Sequence, residues 1–394
     1  QQQLFPAKTP DYGLAQLITF DLAYYPTERG PYNFDTRAGS VSSNGRLLNP
    51  STRWGGIMRG LDQVDFETGN VEFIEFWMQD PFLVQPNSTG GQLYFNLGNI
   101  SEDVLSDGRR FFENGLPTPN IQAGVDSTTD WGRVPSNPIQ VTTAFSNDPA
   151  DRPFQDVGFD GLDDDAERRK FNSYLGQLAA TFGTGSAAYQ SALSDPSADN
   201  FKNYRDGSYD NEKADILARY KAINNPHGNS PIAESNSTLT TAFTLYPDQA
   251  DLNRDNTLNE LEEYFQYKVD LTPLNLVVGQ NYITDKREFT SDGVNQKWYL
   301  FRIPVAEYEQ KVGNIPDFKS IRFIRMFMTG FEDSVIARFA KFELVRNQWR
   351  RFSFEVDTTG TYKPLPANTG TSINVLAVNV EENSNRMPVN YLIP

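Results

Sequence analysis

Apolar residues alternate with polar ones, or crowd into short aromatic runs, in two separate parts of the chain, and both patterns predict β-strands. In the first part Trp54-Gly55-Gly56-Ile57-Met58 is a strand candidate, followed by Val71-Glu72-Phe73-Ile74-Glu75-Phe76-Trp77-Met78. Neither face of that second run is clean, because Phe73 and Phe76 each stand beside a glutamate, so one edge of the strand is expected to meet water. Gln92-Leu93-Tyr94-Phe95-Asn96-Leu97 follows Asn87-Ser88-Thr89-Gly90-Gly91, whose glycines permit a sharp reversal, and the two runs are expected to be neighbouring antiparallel strands. The second part holds Lys297 to Ile303, Ile321 to Met328 and Val335 to Val345, with a later candidate at Ile373 to Val380.

About eight strands in two groups, neither group large enough for two closed faces, predict a mostly β fold: one jelly-roll sandwich carrying a large insertion. The pattern is similar to galactose-binding-like sandwiches over roughly 45–100 and 275–350, with an edge strand near Trp54 and a closing run through Lys341-Phe342-Glu343-Leu344. The expected organisation is an N-terminal extended segment (1–44), a discontinuous sandwich (45–100 and 273–352), an inserted calcium-binding subdomain (101–272) and a C-terminal strand or extended segment (353–394). The insertion is rich in Asn, Asp, Gly and Pro. It has helical patches at Ala166 to Leu178, Ser186 to Leu193 and Tyr209 to Ile223, the last with Ile216, Leu217, Tyr220 and Ile223 at helical spacing.

Charge narrows the partners. Lys and Arg total 35 against 51 Asp and Glu, a formal net charge of −16, which repels phosphate backbones and argues against nucleic acid. Cysteine is absent, which excludes disulfides, zinc–thiolate sites and thiol catalysis. The single histidine, His227, cannot build a poly-histidine metal site and is expected to be an ordinary loop residue. No apolar run approaches the roughly 20 residues of a membrane helix, and both ends read as cut from something longer.

Dispersed carboxylates instead suit hard cations. Asp251-Leu252-Asn253-Arg254-Asp255-Asn256-Thr257-Leu258-Asn259-Glu260-Leu261-Glu262 places oxygen side chains at positions 1, 3, 5, 9 and 12 of an EF-hand-like calcium loop. The expected ligands are Asp251, Asn253, Asp255, the Thr257 carbonyl, Asn259 and Glu262, with Glu262 swinging in from a helix over Leu258 to Val269. Position 6 is Asn256 where glycine is usual, and asparagine tolerates positive φ. The alternative is an Asp/Asn-rich turn that caps a helix. A weaker loop runs from Asp156 to Glu167, with Asp156, Asp160, Asp164 and Glu167 at positions 1, 5, 9 and 12 and Gly158 at position 3. Its alternative is a solvated acidic turn capping a helix. Calcium at either loop would be structural.

Other chemistry is weaker. Glu72 with Glu75, or Asp248 with Asp251, reads as a glycosidase acid/base pair only by the chance pairing that 51 carboxylates allow. Trp54, Trp77, Trp131 and Trp298 are stacking candidates for sugar, with packing the expected role for most.

Leu22 to Phe34, Arg46-Leu47-Leu48-Asn49-Pro50, Arg53 to Arg59, Val71 to Met78, Gly91 to Val104, Asp156 to Leu162, Asp251 to Phe265 and Met387-Pro388-Val389-Asn390-Tyr391 follow one another along the chain. Together these stretches resemble the SprA family, called Sov in some members, the outer-membrane translocon of type IX secretion and gliding motility in Bacteroidetes. The resemblance implies a far longer parent chain that forms a giant β-barrel and passes folded cargo, with a porin-like barrel and a plug as partners. This segment lacks repeated lipid-facing strands of roughly 10 residues. It is therefore expected to be a non-enzymatic extracellular cap or loop region on the outer membrane, attached to the rest of the barrel. A secreted carbohydrate-binding or adhesive sandwich module is the alternative.

Overall fold

The structure, a computed structural model, describes residues 1, 3–6, 16–32, 35–104, 112, 115–118, 124–128, 132–136, 145–146, 148–229, 250–291 and 293–347. The strand expected over Ile373 to Val380, Trp131, Asp248 and the stretch Met387 to Tyr391 lie outside these residues.

Twelve strands are formed among the described residues: β1 (Thr19–Tyr24), β2 (Trp54–Gly60), β3 (Val71–Gln79), β4 (Gly91–Asn99), β5 (Val125–Asp126), β6 (Val134–Pro135), β7 (Glu263–Leu271), β8 (Ile283–Ser291), β9 (Val294–Pro304), β10 (Gln310–Val312), β11 (Phe323–Thr329) and β12 (Val335–Arg346). Two five-stranded antiparallel sheets, ordered β1-β12-β3-β9-β8 and β10-β7-β4-β11-β2, make the body of the molecule. Their apolar rows meet in one core. Ile74, Phe76 and Met78 of β3, Phe301 and Ile303 of β9 and Phe339 of β12 face Leu93, Phe95 and Leu97 of β4, Phe265, Tyr267 and Val269 of β7 and Met328 of β11. Strict alternation along β7 buries Phe265, Tyr267, Val269 and Leu271 and leaves Gln266, Lys268 and Asp270 partly exposed. Each fully buried ring or aliphatic side chain contributes roughly 1.5–3 kcal/mol, so these two rows hold the sheets together.

Three expectations are corrected. The runs that become β3 and β4 are not neighbours in one sheet: they lie in opposite sheets, and Phe76 and Phe95 meet across the core at 5.6 Å. The connection from Asp80 to Gly90 crosses between the layers because each strand has an apolar row to bury. Nor does an edge of β3 meet water, since β12 and β9 pair with both its edges, and Glu75 lies 3.2 Å from Arg302. Finally, the helix expected over Leu258 to Val269 does not form: from Glu263 onward the chain is strand β7, paired on its two edges with β10 and β4. Period-two alternation with Tyr, Phe and Val overrides the helix that an EF-hand pattern demands. The sandwich also recruits β1, from the N-terminal segment, against β12.

A helical lobe lies between β6 and β7 in sequence: α1 (Arg152–Gln155), α2 (Asp164–Lys170), α3 (Asn172–Phe182), α4 (Ala187–Ser194), α5 (Gly207–Glu212) and α6 (Ile216–Tyr220). Its small core joins Tyr174, Leu175, Leu178, Ala188 and Ala192 to Ala38, Val41 and Leu47. The single helix expected over Tyr209 to Ile223 is broken in two, with Lys213 at φ 53° closing α5 and Asp215 capping α6. Ile216 and Tyr220 stay exposed while Leu217 and Ile223 are half-buried, so the apolar spacing there buries none of the four fully. Among the described residues no helix is long and apolar enough to cross a membrane.

Candidate metal centre

The loop from Asp251 to Glu262 closes on itself. Asp251 accepts the backbone N–H of Asp255 at 3.1 Å and of Asn256 at 2.8 Å, and Asp255 accepts Thr257 N–H at 2.9 Å and its hydroxyl at 2.6 Å. Asn253 accepts Asp255 N–H and donates its amide to Asp255 Oδ2. Asn256 sits at φ 66°, the left-handed conformation its position demands. The Asn259 amide donates to the Ile100 carbonyl at 2.8 Å.

Glu262 leaves the set. As the last residue before a strand, it points along the sheet, and both of its carboxylate oxygens receive Arg325 of β11, at 3.1 and 3.0 Å. The carboxylate that threads the loop is Glu102, just beyond β4. It is 2% exposed and accepts Leu252 N–H at 2.8 Å and Asn259 N–H at 3.0 Å. Burial raises its pKa, and the two N–H groups oppose the shift.

The second loop behaves differently. Asp163 is the N-cap of α2, its side chain accepting Ala166 N–H at 2.7 Å, while Asp160 and Glu167 turn inward. Asp160 and Glu167 are 1% and 0% exposed, so this is no solvated turn. Asp156 is directed elsewhere and accepts Asn229 N–H at 3.0 Å. Two carboxylates that sequence reasoning missed complete the arrangement: Asp195 and Asp199, in the turn after α4. Among the described residues, Asp160, Glu167 and Asp199 form one group whose ligand atoms lie within 4.8 Å of one another, and Asp164, Glu167 and Asp195 form another. Glu167 is common to both. Asp251, Asp255 and Glu262 form no such group.

The signal for the missed pair was Asp195-Pro196-Ser197-Ala198-Asp199-Asn200, a turn-forming run with two carboxylates four apart. It matches no standard loop spacing. His227 stands at the rim, its Nδ1 3.6 Å from Asp164 Oδ1. Burial pushes the Asp160, Glu167 and Asp199 carboxyls up, and their mutual charge adds to the shift at Asp160 and Asp199. The tryptophans divide as packing predicts: Trp77 and Trp298 are buried with Leu4 and Phe5 on the outer side of the first sheet. Trp54 is 58% exposed, beside a groove also lined by Tyr32, Ile57 and Phe327.

A family model described as a motility related/secretion protein, SprA_N, matches residues 173–394, more than half of the chain. The chain belongs to the SprA_N family. No curated protein matches it. Membership makes it a motility- or secretion-related protein, which implies association with the cell envelope and a place in a larger secretion assembly. The SprA_N match takes in Asp195, Asp199 and the Asp251 loop and begins just after Asp160 and Glu167.

Proposed function

We propose that this chain is a non-catalytic, calcium-stabilised cap region on the extracellular face of a type IX protein-export translocon, standing over the pore of a barrel built by the rest of the parent protein. SprA_N membership supports the export assignment. The observation that carries the cap reading is the outer surface of the sandwich. The second sheet turns an apolar row toward the first, and Gln266, Lys268 and Asp270 on β7 and Arg325 on β11 lie on its opposite face. Charged rows of that kind are costly against hydrocarbon and suit water. Calcium in this reading is the ion that holds the helical lobe. The rest of the barrel, a porin-like barrel, a plug and passing cargo proteins are the proposed partners.

The absence of cysteine gives a direct test. Val84→Cys and Leu274→Cys place thiols at positions 88% and 86% exposed. In intact cells carrying the assembled translocon, both are expected to react with a membrane-impermeant maleimide. Labelling that requires permeabilised outer membranes would overturn the surface assignment.

A carbohydrate-binding or adhesive role is a second reading, favoured by the exposed Trp54 at its aromatic groove. Tryptophan fluorescence that shifts on titration with surface polysaccharide, and no longer does so in Trp54→Ala, is the result that would favour it.

A further inference from the structure

The helical lobe buries charge that the protein itself does not balance. Asp160, Glu167 and Asp199 are 1%, 0% and 1% exposed, and no Lys or Arg among the described residues forms an ion pair with any of them. Their hydrogen bonds are incomplete in a specific way. Asp160 Oδ1 accepts Leu162 N–H at 3.0 Å, and its Oδ2 has no partner. Asp199 Oδ2 accepts Phe159 N–H at 3.2 Å, and its Oδ1 has no partner. Glu167 accepts the Ser197 hydroxyl at 2.7 Å and Ser197 N–H at 3.1 Å, one on each oxygen, which fixes its carboxylate toward the other two. Two buried carboxylate oxygens without a donor are an anomaly in a folded interior.

The flanking acids differ. Asp195 spends its two oxygens on the N–H groups of Asp199 and Asn200. Asp164 accepts the Asn200 amide at 3.2 Å and lies 3.6 Å from Arg168. They shape the turn and deepen the negative field, while the vacant lone pairs belong to Asp160 and Asp199. The backbone has made room for this approach: a Cβ on Gly158, at φ 97°, would lie 2.4 Å from Asp199 Oδ2.

We propose that Asp160 Oδ2, Asp199 Oδ1 and the Glu167 carboxylate bind one calcium ion, which clamps the 156–170 segment to the turn at 195–200. Three converging carboxylates in a dry pocket are neutralised by protons or by a cation, and calcium accepts irregular sets of oxygen ligands at roughly 2.3–2.6 Å, where magnesium demands near-ideal octahedra. Carbonyl and water oxygens complete its shell. The inference rests on the calcium-held lobe of the reading above and not on its place at the cell surface, so maleimide labelling and calcium binding fail independently. It also moves the ion from the better EF-hand match to the weaker one.

The test is calorimetric titration of the 394-residue chain, stripped with EDTA, with calcium chloride and separately with magnesium chloride. One calcium site is expected, with a Kd of about 1 mM or tighter, together with a calcium-dependent rise in Tm. Asp160→Asn with Asp199→Asn keeps shape and removes the repulsion. This double variant should match or exceed the parent's Tm in EDTA and lose both calcium heat and the calcium-dependent rise. Asp251→Asn with Asp255→Asn should keep both. Hydrogen–deuterium exchange on the unaltered chain needs no variant to fold: calcium should slow exchange in 156–170 and 195–201 together. Absence of calcium binding to the parent, undiminished binding by the first double variant, or protection confined to other segments would each overturn the proposal.

Discussion

Glu262 and Arg325 meet side by side, carboxylate to guanidinium, with both nitrogen–oxygen pairs at 3.1 and 3.0 Å. The pair joins the end of one loop to the second sheet and removes the twelfth-position ligand from the EF-hand pattern. The geometry is bidentate, yet Glu262 is 43% exposed and Arg325 28%. Solvent therefore screens it, and its contribution is expected to be under about 1 kcal/mol. Glu262→Gln should change urea stability by no more than that and leave calcium affinity unaltered; a calcium Kd weakened tenfold would place Glu262 back among the ligands.

Phe76 contacts Phe95 at 5.6 Å, Phe301 at 5.0 Å and Phe339 at 5.3 Å, so it is the point where the two sheets interlock. Phe76→Ala and Phe95→Ala should each cost about 3–5 kcal/mol. Their double variant should lose less than the sum, by about 0.5–3 kcal/mol, because the rings touch. Strict additivity in urea denaturation would contradict the facing arrangement.

Asp35 provides a pH dependence. Its carboxylate accepts Arg37 N–H and Nε at 3.0 Å and Arg37 Nη2 at 2.7 Å, and Arg53 Nη1 lies 3.2 Å away. Hydrogen bonds from Arg37 hold the carboxyl well below the usual carboxylate range against the opposing effect of burial. A depressed folded-state pKa gives stability that is present above the unfolded value, near pH 4, and lost as pH falls toward the folded one. Asp35→Asn should cost about 1–2 kcal/mol at pH 7, the low end because Arg37 is exposed and screened. The gap between variant and parent should shrink steadily in denaturation curves taken from pH 5 down to pH 2. A constant gap would show that the charge is not what matters.

Trp54 lies on β2 at the edge of the second sheet, largely exposed, opposite Thr329. Since it buries little, Trp54→Ala should change Tm by less than about 2 °C, as surface substitutions usually stay within roughly 0.5 kcal/mol. Calcium binding should not change. A large loss of stability would mean that the indole packs as core.

The runs that form β2, β3, β4, β9, β11 and β12 were legible in the sequence as apolar alternation or aromatic crowding, whereas β1, β8 and β10 were not, and β7 was expected as a helix. Phe323–Thr329 follows strict alternation from Ile324 onward and Val335–Arg346 follows it as far as Phe339, whereas Val71–Gln79 and Gly91–Asn99 bury consecutive residues, Phe76 to Met78 and Phe95 to Gly98. The partners of each strand were not legible. Nothing in residues 80–90 says whether the chain reverses within a sheet or crosses to the other one, and the apolar rows settle that only when both sheets are assembled. The same alternation, in Glu263–Leu271, outweighed the ligand spacing that had suggested a helix.

For the site, the sequence by itself determined that clustered acidic oxygens lie in an inserted, partly helical stretch, because loop ligands close in sequence share one turn. It supplied Asp160 and Glu167 but ranked them second. Only the tertiary structure decided that Glu262 belongs to Arg325, that Asp156 turns toward Asn229, and that Asp199 arrives from a turn some 30 to 40 residues downstream. The physical reason is desolvation. A spacing pattern records which oxygens can share a loop, whereas a carboxylate left without a donor exists only once the surrounding chain has folded over it and excluded water.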